Sequence, residues 1–367
     1  MVAPTVLGKS PYETQPFRRR FLFKSVISEK NNINKILTHY GGYMCTAINE
    51  TRGRHLFGRT LDLEYSYDEK VVITPRKYER EFIHEGNRRS RFAIIGCAAL
   101  FGNTALYYDA ANEAGLCAAA LNFPNLCEYH TKKSGKYNVA SFELIPFILG
   151  ECENVSEAVS LLEKTNITPD SFSDKLPSTP LHWIFADKSR AVTLESTPDG
   201  ITIHENPVGV MTNAPDFKYH VTRLADYMKL SPRPAQNSLC PYCDVESYSR
   251  GLGAVGLPGD YSSSSRFVKA VYVKEHTEKS DTKHGAIERF FHIMDSVSVP
   301  SGCILTDEGK NVRTVYTSCI DTAAKVYYFT TYEDRRIRAV SLTECATSGL
   351  DHTVFDMGSE PDIRRLN

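Results

Sequence analysis

The sequence predicts an α+β fold with large, mostly antiparallel β-sheets. Short β-rich segments come first, segments with helical spacing follow, and the two kinds then return in separate blocks. This segregated order differs from the regular strand–helix alternation that produces parallel sheets. The composition is that of a globular protein, with 41% hydrophobic and 24% charged residues among 367. The chain is long enough for one large domain or two smaller ones.

Six β-rich segments follow Cys45 and are separated by glycine and charged residues. They read CTAINET, HLFGRTLDL, KVVITPR, RFAIIGCAAL, TALYYDAAN and GLCAAALNF. β-branched and aromatic residues between turn-forming residues indicate a strand meander of about 80 residues. Similar segments within residues 181–213 and 314–342 predict further strands.

Helices are predicted between these blocks of strands. The segment NVSEAVSLLEK (residues 154–164) repeats apolar residues with the i, i+3, i+4, i+7 spacing of one helix face. Asn154 and Glu157 have the N-cap and N3 spacing of a capping-box variant. Further helices are predicted near Tyr219–Lys229, near Ser265–Glu275 and along AIERFFHIMDSV.

The first 43 residues differ from the rest of the chain. They contain basic clusters, proline and asparagine without sustained periodicity, which predicts a poorly ordered extension. Within it, FRRRFLFKSVIS (residues 17–28) places a basic cluster before a short apolar run, as secretory signals do. Lys24 interrupts that run and no small-residue cleavage site follows, so a secretory signal is not predicted.

Charge and cysteine content exclude several classes of protein. With 43 basic and 44 acidic residues, the net charge of −1 provides no overall attraction to nucleic acid or an anionic membrane. No run of 18 apolar residues is present, so a transmembrane helix is not predicted. Ten cysteines in 367 residues, several of them in apolar segments, are interpreted as reduced thiols of a cytoplasmic protein.

The common cofactor and metal motifs are missing or incomplete. The glycine-rich segment 251–256 has G-x-G-x-x-G spacing, but Pro258 interrupts the helix that a dinucleotide site needs. The C-x-x-C of Cys240 and Cys243 has no second ligand pair and lies among prolines, which predicts a loop. A redox or zinc module at this pair remains an alternative. No metal and no cofactor are predicted.

The histidines do not form a ligand cluster, and His182, beside Trp183, is interpreted as a core histidine. A cysteine nucleophile therefore needs another base. A cysteine at a chain start can use its own α-amine, whose pKa near 8 roughly matches that of a thiol near 8.5. Met44-Cys45 has the form of a protein start, which makes Cys45 the candidate nucleophile.

The segment MCTAINETRGRHLFGRTLDLEYSYDEKVVITPR (residues 44–76) resembles the start of the choloylglycine hydrolases, a family of conjugated bile acid hydrolases and penicillin V acylases. The resemblance continues through GLCAAALNFPN, NVASFELIPFILGECENVSEAVSLLEK, LPSTPLHWIFADKSRAVTLEST, NPVGVMTNAPDFKYH and YSRGLGAVGLPGDYSSSSRFVKA. It covers nearly everything from Met44 to about residue 335. It implies the four-layer αββα sandwich of N-terminal-nucleophile hydrolases, with residues 45–367 as the hydrolase domain.

The resemblance also implies roles for six residues, matched motif by motif. Cys45 is the implied nucleophile, with its free amine as base once the preceding residues are gone. Arg59 would lower the pKa of the thiol, and Asp62 would accept a hydrogen bond from the amine. The remaining implied site residues are Asn122 in LNFP for the substrate, Asn213 in MTNAP for the oxyanion hole, and Arg266 in SSSSRFV. Thr60 departs from the asparagine that many family members have between the charged pair.

The implied function is hydrolysis of the amide in glycine- or taurine-conjugated bile salts. Asn122, rather than the tyrosine associated with some penicillin acylases, favours the bile salt branch. Penicillin V acylase or another N-acyl amide hydrolase is the first alternative, and a non-catalytic binding protein that retains its extension is the second. The family also suggests a homo-oligomer, with the tetramer as its common form.

Residues 1–44 have two competing interpretations. They are a propeptide removed by autoproteolysis, or they are never made because translation starts at Met44. Gly41 and Gly42 permit a purine-rich ribosome-binding sequence before that codon.

Overall fold

The computed structural model describes residues 44–358 and 360–367, and the predicted extension over residues 1–43 lies outside them. Eighteen strands are present in this described part. They are β1 Met44–Glu50, β2 Leu56–Leu63, β3 Lys70–Thr74, β4 Glu79–Phe82, β5 Gly86–Arg89, β6 Ile94–Phe101, β7 Thr104–Asn112, β8 Cys117–Asn122, β9 Tyr137–Ala140, β10 Thr165–Thr168, β11 Leu181–Ala186, β12 Ala191–Thr197, β13 Gly200–Glu205, β14 Val210–Met211, β15 Arg313–Asp321, β16 Val326–Thr331, β17 Arg338–Ser341 and β18 Thr353–Asp356.

Most of these strands form two large sheets in which all neighbours are antiparallel. The six-stranded sheet has the order β14-β1-β2-β15-β16-β17, and the eight-stranded sheet has the order β13-β12-β11-β8-β7-β6-β3-β18. The strands of the predicted meander are divided between them, since β1 and β2 lie in the first sheet and β3 and β6–β8 in the second. Strands β4 and β5 form a small antiparallel pair, and β9 and β10 a small parallel one.

Six α-helices accompany the sheets in the described residues. They are α1 Leu144–Glu151, α2 Val155–Leu162, α3 Phe217–Arg223, α4 Ser263–His276, α5 Lys283–Asp295 and α6 Glu344–Thr347. Short 3₁₀ turns occupy Ser141–Glu143, Leu224–Tyr227 and Leu252–Ala254. None of the helices in this part of the chain has the length and apolar character needed to cross a bilayer.

The N-terminus of α2 confirms the predicted cap in one half only. The Asn154 side chain accepts a hydrogen bond from the backbone N–H of Glu157 at 3.0 Å, as an N-cap residue does. The Glu157 carboxylate accepts from the backbone N–H of Glu153 at 2.9 Å, whereas a capping box directs it to the N-cap residue itself. The Glu157 carboxylate therefore accepts from the residue before the N-cap and not, as the capping box predicts, from Asn154.

Three apolar clusters show that the layers are stacked as helix, sheet, sheet, helix. The first lies between the two sheets and includes Leu61, Ile95 and Ile184. The second joins the eight-stranded sheet to α1 and α2. The third joins the six-stranded sheet to α3, α4 and α5. The α+β class and the αββα arrangement are both confirmed.

Gly58 marks the closest approach of β2 to its neighbour β15. A Cβ atom at this position would lie 2.0 Å from the carbonyl oxygen of Ser318, far inside van der Waals contact. Only glycine therefore allows the two central strands to pair here, immediately before Arg59.

Gly58→Ala is expected to destabilise the protein by about 3 kcal/mol, because strand backbone rather than a flexible side chain must move. Urea unfolding of the variant and of wild type measures this difference. Gly259→Ala is the matched control, since nothing lies within 4 Å of a Cβ at Gly259. Equal unfolding midpoints for all three proteins would contradict the steric argument.

Candidate active site

The candidate nucleophile lies at the start of the first strand, on the face between the sheets. Strand β1 pairs with β2 so that Cys45 is opposite Leu61 and Thr46 is opposite Thr60. Alternation along the strand directs Cys45 and Ala47 into the cluster between the sheets, while Ile48 faces the helices. Cys45 is only 2% exposed. Its chemistry is therefore decided by neighbouring side chains rather than by bulk water.

Arg59 holds the thiol from the neighbouring strand. Its Nη2 lies 2.5 Å from Cys45 Sγ. Its Nη1 donates to the carbonyl oxygens of Ala120 at 2.7 Å and Tyr108 at 3.2 Å, both in the opposite sheet. The guanidinium group thus joins the two sheets, and its position beside the sulfur is fixed by backbone atoms.

Burial raises the pKa of the Cys45 thiol, and the positive charge of Arg59 is the largest opposing influence. The Asp62 carboxylate raises the pKa of this thiol as well, whereas a hydrogen bond from the Asp62 backbone N–H lowers it. The balance leaves the thiol protonated at neutral pH in the full chain. A base is therefore needed before the sulfur can attack a carbonyl group.

Asn213 and Arg266 bind the main chain of Cys45 from two other elements. The Oδ1 of Asn213 accepts from Cys45 N at 2.8 Å and from Arg266 Nη2 at 2.8 Å. The Nη1 of Arg266 donates to the Cys45 carbonyl oxygen at 2.5 Å and to Thr46 Oγ1 at 2.7 Å. Two donors on one oxygen fix the orientation of the Asn213 amide, so its Nδ2 faces the other way.

Asn122 joins the site through Asn213. The Nδ2 of Asn213 donates to the carbonyl oxygen of Asn122 at 2.8 Å. The Asn122 side chain is buried, and neither its Oδ1 nor its Nδ2 has a hydrogen-bond partner in the described part of the chain. Buried polar atoms are nearly always paired in folded proteins. An unpaired amide here is a site at which a bound substrate can supply the missing partner.

Asp62 is held by two threonines, one of which occupies the position where the sequence departs from the family pattern. Thr314 Oγ1 donates to Asp62 Oδ1 at 2.6 Å, and Thr60 Oγ1 donates to Asp62 Oδ2 at 3.2 Å. Thr60 Oγ1 also accepts from Thr46 N at 3.2 Å. Burial raises the pKa of Asp62, while Arg266 and the two threonine hydroxyls oppose that rise. Thr60 therefore links Asp62 to the strand that carries Cys45.

The hydrogen bond of the Cys45 nitrogen differs from the one implied by the resemblance. That nitrogen donates to Asn213, whereas the Asp62 carboxylate accepts from the two threonines. Because Met44 precedes it, Cys45 N is a peptide nitrogen in this chain, and its lone pair is delocalised into the Met44 carbonyl group. Release of Met44 would give an amine with further hydrogens for Asp62 or for substrate.

The six predicted residues therefore meet in one site. Arg59, Asn213 and Arg266 contact Cys45 directly, Asp62 reaches its sulfur through a backbone N–H, and Asn122 is linked through Asn213. Their catalytic roles stay predictions. No three His, Cys, Asp or Glu side chains of the described residues are grouped closely enough to hold a metal ion.

Sequence reasoning missed several supporting groups. Asp109 is buried and accepts hydrogen bonds from Ser318 Oγ and Tyr327 Oη, both at 2.9 Å, and from Tyr316. Ser318 Oγ in turn accepts from the backbone N–H of Arg59 at 3.1 Å. Burial raises the pKa of Asp109, and the charge of Arg59 opposes that shift. No local signal marks these residues, because their spacing in the chain carries no motif.

The Cys240–Cys243 segment is a turn outside the helices and strands, as predicted. The backbone N–H of Cys243 donates to the Cys240 carbonyl oxygen at 2.9 Å, and Asn237 Nδ2 donates to the same oxygen at 2.8 Å. Both cysteines are free thiols, and Cys243 is exposed.

Residues 45–355 match the model of the linear amide C–N hydrolases of the choloylglycine hydrolase family. The chain belongs to this family. It is 44% identical over 324 residues to a bile salt hydrolase/transferase of Lactiplantibacillus plantarum, covering 88% of this chain and 100% of that relative. It is 30% identical over 331 residues to a bile salt hydrolase/transferase of Clostridium perfringens, covering 88% of this chain and 100% of that relative.

Solved structures agree with the fold. A conjugated bile acid hydrolase variant from Clostridium perfringens superposes with a TM-score of 0.82 at 29% identity, covering 89% of this chain and 100% of that one. A penicillin V acylase from Agrobacterium tumefaciens gives a TM-score of 0.68 at 22% identity, covering 86% of this chain and 92% of that one. The second similarity concerns the fold alone.

Thr60→Val is expected to reduce the catalytic rate by about tenfold, because the hydrogen bond to the buried Asp62 carboxylate and the one from Thr46 N are lost while the shape is kept. Thr60→Ser, which keeps the hydroxyl, is expected to retain most of the rate. Initial rates of amide hydrolysis measure both.

Thr317→Val is the matched control for this prediction. Thr317 pairs with Thr60 across β15 and β2, and its buried hydroxyl has no partner within the described residues. Its replacement should leave the rate unchanged. A Thr60→Val enzyme as fast as the Thr317→Val enzyme would show that Thr60 does not support Asp62.

Proposed function

We propose that this chain hydrolyses the amide bond of glycine- or taurine-conjugated bile salts with Cys45 as nucleophile. The observation that carries the proposal is the buried Cys45 thiol held by Arg59 while Asn213 and Arg266 bind the Cys45 main chain. This arrangement fits a nucleophile whose base is its own nitrogen. The 44% identity to a bile salt hydrolase/transferase supports the substrate class.

Acylation begins at the thiol of a Cys45 freed from Met44. The α-amine takes the thiol proton, and the sulfur attacks the amide carbonyl of the substrate. Arg59 stabilises the thiolate that forms, since burial leaves that charge without water. The second hydrogen of Asn213 Nδ2 and the unpaired amide of Asn122 are available to the oxyanion. One such donor is typically worth about 3 kcal/mol of the barrier.

The two halves of the reaction use the same base. The protonated amine gives its proton to the departing nitrogen of glycine or taurine, which leaves a thioester on Cys45. The amine then activates a water molecule, which releases the free bile acid and restores the thiol. An amine in place of water would make the same thioester a transfer intermediate, in line with the hydrolase/transferase names of the two relatives.

The mechanism requires that residues 1–44 be absent from the active enzyme. A peptide nitrogen at Cys45 is not basic, so a chain that retains Met44 lacks the base. We propose residues 45–367 as the working domain. The two interpretations of residues 1–44, autoproteolysis and a translation start at Met44, lead to the same mature Cys45.

We further propose a cytoplasmic homo-oligomer, with the tetramer as its state. Large apolar side chains are exposed close together in the chain, which supports a surface that a second copy covers. They are Met228, Leu239, Tyr242, Val245, Tyr248 and Val255. Sedimentation equilibrium of the purified protein is expected to give four chains per particle, and Tyr242→Asp with Tyr248→Asp is expected to weaken the assembly. A monomeric wild type would contradict this proposal.

The function is tested with glycocholate, taurocholate and penicillin V. Protein expressed from the full sequence and protein expressed from Met44 are compared, and the intact mass of each establishes which residue comes first. We expect active preparations to begin at Cys45 and to prefer the bile salts. Cys45→Ser is expected to lose activity by at least about a thousandfold, because a serine hydroxyl is a far poorer nucleophile.

Three results would contradict the proposal in different ways. A much higher rate with penicillin V would favour the acylase alternative. A chain that still begins at Met1 and hydrolyses none of the three amides would favour a binding protein. An active chain that retains Met44 would exclude the Cys45 amine as base.

A further inference from the structure

Two buried histidines contact backbone carbonyl oxygens at and next to Asn213, although neither contacts Cys45. Asn213 follows strand β14, and its own carbonyl oxygen lies 2.8 Å from His220 Nε2. The carbonyl oxygen of the preceding residue, Thr212, lies 2.7 Å from His182 Nε2. The short segment that carries the Asn213 amide is thus held through two successive carbonyl groups.

The geometry fixes where the protons of these rings lie. A carbonyl oxygen only accepts hydrogen bonds, so both Nε2 atoms carry the proton. Burial lowers the pKa of His220, which keeps its ring neutral at physiological pH. Each imidazole therefore holds the Asn213 segment through its Nε2–H.

Glu195 lies close to His182 and holds the helix that carries His220. It is a buried carboxylate in β12, and its Oε1 lies 3.6 Å from His182 Nδ1. The same Oε1 accepts from the backbone N–H of Phe217 at 2.8 Å, at the start of helix α3, which carries His220. Glu195 Oε2 lies 3.3 Å from His204 Nε2. One carboxylate thus lies beside the first ring and anchors the helix that carries the second.

Ring stacking ties both histidines to the rest of the site. His182 stacks on Phe123 with centroids 4.5 Å apart and an interplanar angle of 9°. His220 stacks on Phe267 with centroids 4.8 Å apart and an angle of 21°. Phe123 follows Asn122, and Phe267 follows Arg266. The two rings therefore contact the segments that carry Asn122, Asn213 and Arg266.

We propose that His182 and His220 are positioning residues for the Asn213 amide and that Glu195 anchors the helix that carries His220. The proposal rests on the proposed function, in which Asn213 stabilises the oxyanion. An oxyanion donor is effective only when it is already aimed at the reacting atom, so a small displacement of Asn213 is costly to the rate. From the sequence, His182 is interpreted as a core histidine. Its contact with the Thr212 carbonyl oxygen adds the proposed role of positioning Asn213.

The test compares His182→Leu with His182→Gln, in which the side-chain amide can still donate to the Thr212 carbonyl oxygen. His182→Leu is expected to lower kcat for glycocholate by about 10- to 100-fold with little change in KM. His182→Gln is expected to recover most of kcat. His130→Leu is the matched control, because His130 Nε2 also lies 3.0 Å from a backbone carbonyl oxygen, that of Thr197.

A second measurement separates positioning from general damage to the fold. Alkylation of Cys45 by iodoacetamide needs the thiol but forms no oxyanion. His182→Leu is therefore expected to be alkylated at the wild-type rate while its kcat is low. Equal losses in alkylation and in kcat would indicate a structural defect and overturn the proposal, as would an unchanged kcat in His182→Leu.

A crystal structure of His182→Leu decides the matter even if wild type cleaves none of the amides tested. In that case the proposed function fails, but the distance between Asn213 Oδ1 and Cys45 N, 2.8 Å in wild type, can still be measured. A distance beyond hydrogen-bond range in His182→Leu, restored in His182→Gln, supports the positioning role. An unmoved Asn213 overturns it.

Discussion

Burial of a thiol together with two arginine side chains is the constraint on which the rest of this structure depends. Cys45 is 2% exposed, and Arg59 and Arg266 are each 1% exposed. An arginine cannot lose its charge, so each N–H that leaves water needs an acceptor inside the protein. Backbone carbonyl oxygens supply most of these acceptors, namely those of Thr60, Tyr108, Ala120, Tyr261 and Cys45 itself. The two arginine side chains thereby hold both sheets and helix α4 around Cys45.

The same exclusion of water gives the site its chemical character. In a medium of low polarity the charge of Arg59 acts strongly on the sulfur at 2.5 Å, and no solvent screens it. Threonine hydroxyls hold the buried Asp62, and tyrosine and serine hydroxyls hold the buried Asp109. Nearly every polar group near Cys45 is thus already paired and oriented. Among the described residues the Asn122 side chain is an exception, because both of its polar atoms are unpaired, and it is where we propose that a substrate completes the network.

The extent to which sequence anticipated the structure differs from residue to residue. The helix over Val155–Leu162 follows from local spacing, because its apolar face and its N-cap lie within a dozen residues. The same reasoning placed the Glu157 carboxylate wrongly, since Glu153 N–H competes for it. The effect of Thr60 could not be judged from sequence, because the buried Asp62 carboxylate also accepts from Thr314, which lies 252 residues from Asp62 in the chain.

The sequence by itself determined the nucleophile candidate, the family pattern and the faces of the strands. Cys45 follows Met44, and alternation in β1 directs its side chain inward. Both properties depend only on neighbouring residues, so the sequence is enough to predict them. Only the tertiary structure decided which groups surround that side chain. Asn213 and Arg266 lie 168 and 221 residues from Cys45 and meet it when the strands and helix α4 pack together. Hydrophobic periodicity in the sequence predicts that a face is buried, but only the packing of the folded chain determines which residues that face contacts.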